Sequence, residues 1–316
     1  MDSNSLEAFL FPQYQQRVEE FKLKNKKFIH YTSAEAVHQI ITKKSIWLRN
    51  VRLMNDWSEI YHGLNLLVKE ILDNQKIHDF VDRLNSIHPD IVFDAVQAIR
   101  GSKYERSTQT YIASFSEHLS GSEDLYGRLS MWRAYGGKQP VAVVLNETPF
   151  FGEADELGAF TSSVLYANDI NKFLDQLLEN LIQYESSIAG SSREDLLNKL
   201  HWAFLSGICC LKHMGFEEER EWRVIHMPDL MPSKYIKSDT VIINGIPQVI
   251  YKLPIKEIPE IGFLGSSIPK VINKLIIGPN EHQFMLWNHF VGLLKAEGCE
   301  NPEDKVVISN IPLRNN

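Results

Sequence analysis

Glutamate and arginine are concentrated in residues 217–226, which read E-E-E-R-E-W-R-V-I-H. A strand that begins near Glu219 alternates its side chains between two faces, so Glu219, Glu221 and Arg223 would share one face. Two carboxylates held close together raise the pKa of one, while a neighbouring arginine keeps the other ionised. We interpret Glu219 and Glu221 as a candidate catalytic pair. The alternative is a solvated strand edge.

A second polar segment combines serine, aromatic and arginine side chains. Ser114 and Ser116 flank a phenylalanine at the end of an apolar strand, and Trp132, Arg133 and Tyr135 precede a pair of glycines. Aromatic rings beside an arginine suit a flat, partly charged ligand, because the rings stack and the guanidinium supplies charge. We therefore predict a binding role for these five residues. A hydrophobic patch under a turn is the alternative.

His30, Tyr31 and Thr32 lie where a predicted strand meets a predicted helix. Free backbone amides point outward at such a junction, which makes it a common place for a ligand. The residue types are also consistent with a purely structural role, in which Tyr31 is core, Thr32 caps the helix and His30 is an exposed neighbour.

Two arginines, Arg49 and Arg52, occupy the loop between a strand and the next helix. Arginine binds phosphate and carboxylate groups in a bidentate manner, so we predict that they contact an anionic ligand. The competing interpretation is a helix entrance capped by Asn55 or Asp56. It leaves both arginines unexplained.

Hydrophobic periodicity predicts the elements that position these segments. Short apolar segments predict strands at 27–31, 45–48, 110–116, 222–226, 240–243, 249–253, 274–277 and 306–311. A continuous apolar run bounded by Pro140 and Asn146 predicts a buried strand at 141–145. Helical spacing predicts helices at 13–24, after a capping box at 32–35, at 170–182 and from 191 to 214. Strands and helices do not alternate one for one. This pattern favours a single α+β domain over 1–316, with an N-terminal helix within 1–26, a central mixed or antiparallel sheet, flanking helices and a helical insertion at about 168–214.

Composition narrows the class of protein. The net charge of −7 argues against a protein that lives on the phosphate backbone of nucleic acid. No apolar run approaches the roughly 18 residues that span a bilayer, so no membrane association is expected. Three cysteines without a disulfide framework, and a start without a basic region followed by an apolar one, favour the cytoplasm.

The motifs F-I-H-Y-T, M-N-D, S-F-S, M-W-R-A-Y-G, E-R-E-W-R and I-I-G-P occur in this order between residues 28 and 279. Together they resemble a bacterial family known only as a domain of unknown function, marked by F-S, M-W-x-x-Y-G and E-x-E-W-R. This resemblance by itself implies no activity.

A weaker resemblance links H-Y-T, S-F-S and E-R-E to the three-part pattern of ADP-ribosyltransferases. It implies that His30 or Tyr31 holds NAD as co-substrate, that Ser114 and Ser116 support the nicotinamide pocket, and that Glu219 or Glu221 contacts the ribose. Because Glu221 stands further into the predicted strand, next to Trp222, we predict that Glu221 contacts the ribose and that Glu219 supports it. The remaining predicted ligand contacts are as follows: Thr32, Arg49, Arg52, Trp132, Arg133 and Tyr135. The long helical block at 168–214 departs from the pattern. No metal is required. The implied role is a toxin or phage-defence effector with a macromolecular acceptor and a neutralising partner protein.

Two other functions stay open from the sequence. One is a non-enzymatic sensor that binds a nucleotide or a partner at the same residues. The other is a metal-dependent nuclease with Asp56, Glu59, Glu219 and Glu221 as ligands. NAD turnover would distinguish the transferase from the sensor, and dependence on a divalent metal would distinguish it from the nuclease.

Overall fold

The computed structural model describes residues 12–53, 75–101, 109–152, 154–166, 188–243 and 245–312. The helices are as follows: α1 Pro12–Leu23, α2 Ala34–Lys43, α3 Gln75–Ile87, α4 Ile91–Gly101, α5 Ser122–Tyr126, α6 Leu129–Tyr135, α7 Arg193–Cys209, α8 Ile268–Val271, α9 Gln283–Ala296 and α10 Pro302–Lys305. The strands are as follows: β1 Lys27–Ser33, β2 Ser45–Asn50, β3 Tyr111–His118, β4 Pro140–Leu145, β5 Phe160–Ser163, β6 Leu165–Tyr166, β7 Leu211–Lys212, β8 Glu221–His226, β9 Lys237–Ile243, β10 Ile246–Pro254, β11 Ile272–Ile277 and β12 Val306–Ile308. The chain is an α+β protein, as the sequence predicts.

The chain divides into two compact units. We call Phe21–Arg49, Tyr111–Thr161 and Glu219–Asn316 the sheet unit, and Met1–Glu20, Asn50–Thr110 and Ser162–Glu218 the helical unit. The helical unit holds α3, α4 and α7, with α7 packed on α4, and the short parallel pair β6–β7. The expectation of one domain over 1–316 stays a prediction.

The main sheet has the strand order β12-β11-β4-β1-β3-β2-β10-β9, and β8 pairs with β3 and β5. Antiparallel pairing joins β1 to β3 and β4, β3 to β8, and β10 to β2 and β9, whereas β11 and β12 run parallel. β4 lies between β1 and β11, and it is buried along its whole length because other elements cover both of its faces, Trp132 on one of them. This explains why its sequence is continuously apolar rather than alternating.

The central strands of the sheet have two chemically different faces. One face, which we call the aromatic face, carries Phe28 of β1, Phe115 of β3 and Trp222 of β8, and the ring centroids of Phe28 and Trp222 are 5.7 Å apart. The opposite face, which we call the polar face, carries Tyr31, Ser116 and other hydroxyl and charged groups. The aromatic face forms a dense core, because Phe28, Phe115 and Trp222 are almost completely buried.

Three boundary predictions are wrong. The helix after β1 is capped by Ser33, whose hydroxyl accepts from the Ala36 amide at 3.2 Å, and Thr32 is the penultimate residue of β1. The helix predicted to reach residue 214 ends at Cys209 and is followed by β7. β8 begins at Glu221 and not near Glu219. Glu219 is instead the last residue of the 3-10 helix Met214–Glu219. The 170–182 helix of the predicted insertion lies outside the described residues.

Candidate active site

The three strands that carry the H-Y-T, S-F-S and E-R-E motifs are direct neighbours in the sheet unit. Ile29 of β1 pairs with Ser116 of β3, and Ser116 pairs in turn with Glu221 of β8. Residues paired across an antiparallel ladder project to the same face, and so do residues two apart on one strand. Tyr31, Ser116 and Glu221 therefore share the polar face.

Trp132 lies on the same side of the sheet. It belongs to an apolar cluster with Ile29 and Tyr31, and its ring centroid is 4.8 Å from that of Tyr31. We predict from the sequence that Tyr31, Ser116, Trp132 and Glu221 line a common pocket, and this stays a prediction. The four residues lie on one side of the sheet. Ser114 joins them, because it pairs with Arg223, two residues after Glu221.

His30 and Thr32 alternate with Tyr31 along β1 and so face away from the polar face. The His30 ring lies 5.5 Å from that of Phe115 on the aromatic face, and its Nδ1 is 2.9 Å from the Ser114 carbonyl oxygen. Because a carbonyl only accepts, Nδ1 carries the proton. Burial lowers the pKa of His30, and the hydrogen bond to Ser114 offsets part of this effect. Within the H-Y-T motif, Tyr31 is thus the residue that shares a face with Glu221.

Glu221 forms a buried, bidentate ion pair with Arg223. The Nε of Arg223 donates to one carboxylate oxygen at 2.8 Å, and a terminal nitrogen donates to the other at 3.2 Å. The Arg223 side chain is 0% exposed and that of Glu221 is 4% exposed. The carboxylate is therefore held in place by a fixed guanidinium. Glu221 and Arg223 share one face of the strand, as the alternation predicts.

Glu219 occupies a different environment, because the chain turns at Arg220, between the 3-10 helix that ends at Glu219 and β8, which begins at Glu221. Arg220 has φ 47°, a left-handed conformation that non-glycine residues rarely adopt. The Glu219 carboxylate accepts from the Tyr135 hydroxyl at 2.8 Å, and its backbone carbonyl accepts from the Arg128 guanidinium at 3.1 Å. Glu219 is half-buried at the end of its 3-10 helix. The two glutamates therefore differ in exposure and in partners.

Arg128 connects Glu219 to Tyr31. Its backbone amide donates to the Tyr31 hydroxyl at 2.9 Å, and its guanidinium carbon lies 5.9 Å from the centroid of the Tyr31 ring. Burial raises the pKa of Tyr31, and the nearby Arg128 offsets part of that rise. Tyr31 is therefore a neutral phenol whose oxygen is already engaged with the backbone.

Trp132 is enclosed by glycine and proline. Its indole nitrogen donates to the Tyr126 carbonyl at 2.7 Å. A Cβ atom placed on Gly127 would lie 2.7 Å from the indole ring, and one placed on Gly278 would lie 2.9 Å from the ring and from Pro140. M-W-x-x-Y-G and I-I-G-P are thus two halves of one packing unit, and the indole face is covered rather than open to a ligand. Arg133, one residue further on, is exposed.

The two remaining predicted arginines belong to different units. In the sheet unit, Arg49 donates to the Gln248 side chain at 3.3 Å. In the helical unit, the backbone amide of Arg52 donates to the Asn50 side chain at 3.0 Å. Asp56 and Glu59, the other ligands proposed for a nuclease, lie outside the described residues.

A buried histidine that no sequence motif marks lies at the end of β3. His118 is 1% exposed, and its Nε2 is 2.9 Å from the Asp124 carboxylate, which also pairs with Lys274 at 3.1 Å. Burial lowers the pKa of His118, and the contacts with Asp124 and Glu123 offset only part of this effect. Partial burial would raise the pKa of Asp124, but the hydrogen bonds from His118 and Lys274 outweigh it, so that pKa is lowered. These residues come together only through the fold, and no motif connects them.

Within the part of the chain that the structure describes, no group of three or more His, Cys, Asp or Glu side chains is placed to hold a metal ion. Among the described helices, none combines the length and apolar character needed to cross a bilayer.

Residues 131–224 match the family model described as "Protein of unknown function (DUF2971)". The matched range begins at the M-W-x-x-Y-G motif and ends just after E-R-E-W-R, and it confirms the resemblance to a domain of unknown function. Searches among curated proteins and among solved structures each returned no significant match.

Proposed function

We propose that this protein is an ADP-ribosyltransferase-like enzyme that cleaves the nicotinamide–ribose bond of NAD and transfers ADP-ribose to a macromolecular acceptor. The observation that supports this proposal is the adjacency of the three motif strands β1, β3 and β8. Neighbouring strands are about 4.8 Å apart, so side chains on three successive strands lie within about 10 Å of one another. A nicotinamide riboside is large enough to contact all three.

The chemistry needs a carboxylate near the ribose. Cleavage of the nicotinamide–ribose bond passes through an oxocarbenium-like state, as glycoside cleavage does. A carboxylate that hydrogen-bonds to the ribose stabilises the developing positive charge more strongly in the transition state than in the ground state. Ser116 would orient the nicotinamide, and Tyr31 would line the same pocket. No metal takes part in this scheme.

The two glutamates divide the work according to their surroundings. From the sequence, Glu221 was expected to contact the ribose and Glu219 to assist. Both carboxylate oxygens of Glu221 are held by Arg223 in the buried interior, whereas Glu219 is half-buried at the end of its 3-10 helix and accepts from the exposed Tyr135 hydroxyl. We therefore assign the ribose contact to Glu219. Glu221 has the role of neutralising the buried positive charge of Arg223.

The cellular setting of the proposal comes from the resemblance alone. It comprises a cytoplasmic toxin or phage-defence effector, a protein or nucleic-acid acceptor, and a neutralising partner protein. The described cysteines Cys209, Cys210 and Cys299 are all buried free thiols, which is compatible with a reducing compartment.

The test is nicotinamide release from NAD by the purified full chain in the presence of a chelator, measured by chromatography. Glu219→Gln should lower the rate by about 100- to 1000-fold, the loss typical of deleting one group that stabilises a transition state. Glu217→Gln is the matched control, because Glu217 is exposed on the same 3-10 helix and should behave like the wild type. Absence of nicotinamide release with NAD and candidate acceptors would refute the proposal. Activity only with magnesium or manganese would favour the nuclease.

One observation favours a second candidate, a non-enzymatic nucleotide sensor. Glu221 is fully engaged by Arg223, and Tyr31 and Trp132 are buried with their polar atoms hydrogen-bonded. A site whose polar groups are already satisfied can recognise a ligand without reacting with it. Equilibrium binding of NAD without nicotinamide release would identify this case.

A further inference from the structure

We propose that Glu123 is a positioning residue that sets the directions of Glu219 and Glu221 by holding Arg220 in its left-handed conformation. This inference rests on the proposed function for its catalytic consequence. Its structural part concerns a contact between α5 and the turn that precedes β8, and it can be tested separately.

The conformation of Arg220 decides where both glutamates point. If residues 219–221 were extended, Glu219 and Glu221 would project to the same face of one strand. Because φ of Arg220 is 47°, the chain turns at this residue, and Glu219 contacts Tyr135 while Glu221 contacts Arg223. A non-glycine residue in this region is strained and persists only where its surroundings enforce the conformation.

Three contacts enforce the turn. The Arg220 guanidinium forms an ion pair with the Glu123 carboxylate. The Arg220 carbonyl accepts from the Glu117 amide of β3 at 2.9 Å. The preceding carbonyl, that of Glu219, accepts from the Arg128 guanidinium at 3.1 Å. The backbone of the turn is thus held by β3 and by Arg128, and the Arg220 side chain is held by Glu123 of α5.

Glu123 can act as an anchor because it is itself fixed. Its second carboxylate oxygen accepts from the Leu119 amide at 3.0 Å, which joins the start of α5 to the end of β3. The next residue, Asp124, is held by His118 at 2.9 Å and by Lys274 of β11 at 3.1 Å. The Glu123 side chain is 16% exposed, so the ion pair with Arg220 is shielded from much of the solvent. Glu123 therefore reaches the candidate site through Arg220, since its carboxylate is occupied by Arg220 and Leu119.

The experiment compares Glu123→Gln and Glu123→Asp with Glu303→Gln, an exposed glutamate on α10, in the full chain. Glu123→Gln should lower kcat for nicotinamide release by about 10- to 100-fold, the scale expected when a distant change misplaces a catalytic group by up to 1 Å. KM should stay within about twofold, since Arg220 is not assigned a contact with NAD and no uniform binding is lost. Glu123→Asp should recover part of the rate, and Glu303→Gln should match the wild type.

Hydrogen exchange supplies a readout that does not require turnover. In Glu123→Gln, the Glu117 amide, which donates to Arg220, should exchange faster, and the Ile112 amide of the same strand should keep its wild-type rate. An unchanged Glu117 amide, or a wild-type kcat in an active enzyme, would overturn the inference. Equal acceleration at Glu117 and Ile112 would also overturn it, because Glu123 would then support the whole unit. If the wild type releases no nicotinamide, the proposed function fails, and the exchange rates alone decide whether Glu123 holds the turn.

Discussion

Two regions carry strong sequence motifs: the apolar cluster around Trp132 and the turn at residues 219–221, which we call the E-R-E turn. They differ in the kind of contact that holds them. Around Trp132 the contacts are apolar and so close that a Cβ atom on Gly127 or Gly278 would collide with the indole ring. In the turn at Arg220 the contacts are ion pairs and hydrogen bonds between charged side chains. The comparison teaches that a motif of aromatic residues and glycine can be a packing signature, while the neighbouring charged motif carries the groups able to do chemistry.

Removing the indole ring tests whether Trp132 stabilises the fold by packing. Trp132→Ala should lower the free energy of unfolding by about 3–5 kcal/mol, because a large buried ring is lost and a cavity is left. Chemical denaturation measures this change. Leu23→Ala is the control, since Leu23 is 86% exposed and its loss should cost no more than about 0.5 kcal/mol. A Trp132→Ala variant as stable as the control would mean that the ring is not a core residue.

Breaking the buried ion pair tests the charged side of the comparison. Glu221→Gln should cost about 3–5 kcal/mol of stability, because the fully buried Arg223 guanidinium loses the carboxylate that accepts two of its N–H groups. Replacing both residues by methionine should be closer to the wild type than Glu221→Gln, since no buried charge is left behind. Thermal or chemical unfolding of the two variants measures which of them is the more stable. A double variant that is less stable than the single one would show that the pair is net stabilising.

A smaller effect is expected when a methyl group is added beside the indole. Gly278→Ala places a Cβ 2.9 Å from Trp132 and Pro140, and overpacking of this kind costs about 1–3 kcal/mol. Gly292→Ala is the matched control, because no atom lies within 4 Å of the corresponding Cβ and residue 292 is inside α9. Alanine is preferred over glycine within a helix by about 0.5–1 kcal/mol, so this control should be slightly stabilised. Equal effects at both positions would contradict a closely fitted indole.

The smallest predicted effect is a gradual dependence of stability on pH. Burial lowers the pKa values of His30, His118 and His226 in the folded protein. The unfolded chain therefore binds more protons than the folded one at pH values below about 6.5, the ordinary histidine pKa, and stability rises with pH through this window. Acidification from pH 7 to about pH 5 should lower the unfolding free energy before the carboxyl groups titrate. His118→Gln should flatten this slope, and a protein that becomes more stable on acidification would refute the prediction.

Much of the fold could be predicted because local patterns are repeated along it. Short apolar patterns located the strands around residues 27–31 and 274–277, a continuous apolar run located the one at 141–145, and the structure places β1, β4 and β11 there. The strand period of two correctly placed Glu221 and Arg223 on one face of β8. These features depend on the geometry of a single strand, so a single strand's sequence contains them.

The direction of Glu219 and the His118 cluster were decided by the tertiary structure. Arginine has no intrinsic preference for a positive φ, and Arg220 adopts it because Glu123 and the Glu117 amide hold it there. In the sheet, β3 and β11 are separated by β1 and β4. His118, Asp124 and Lys274 nevertheless meet, because α5, which follows β3, contacts β11. The sequence determined which residues are charged and how each strand alternates. Only the packed sheet decided which charges are buried together, because that choice depends on contacts between residues up to 150 positions apart, such as Asp124 and Lys274.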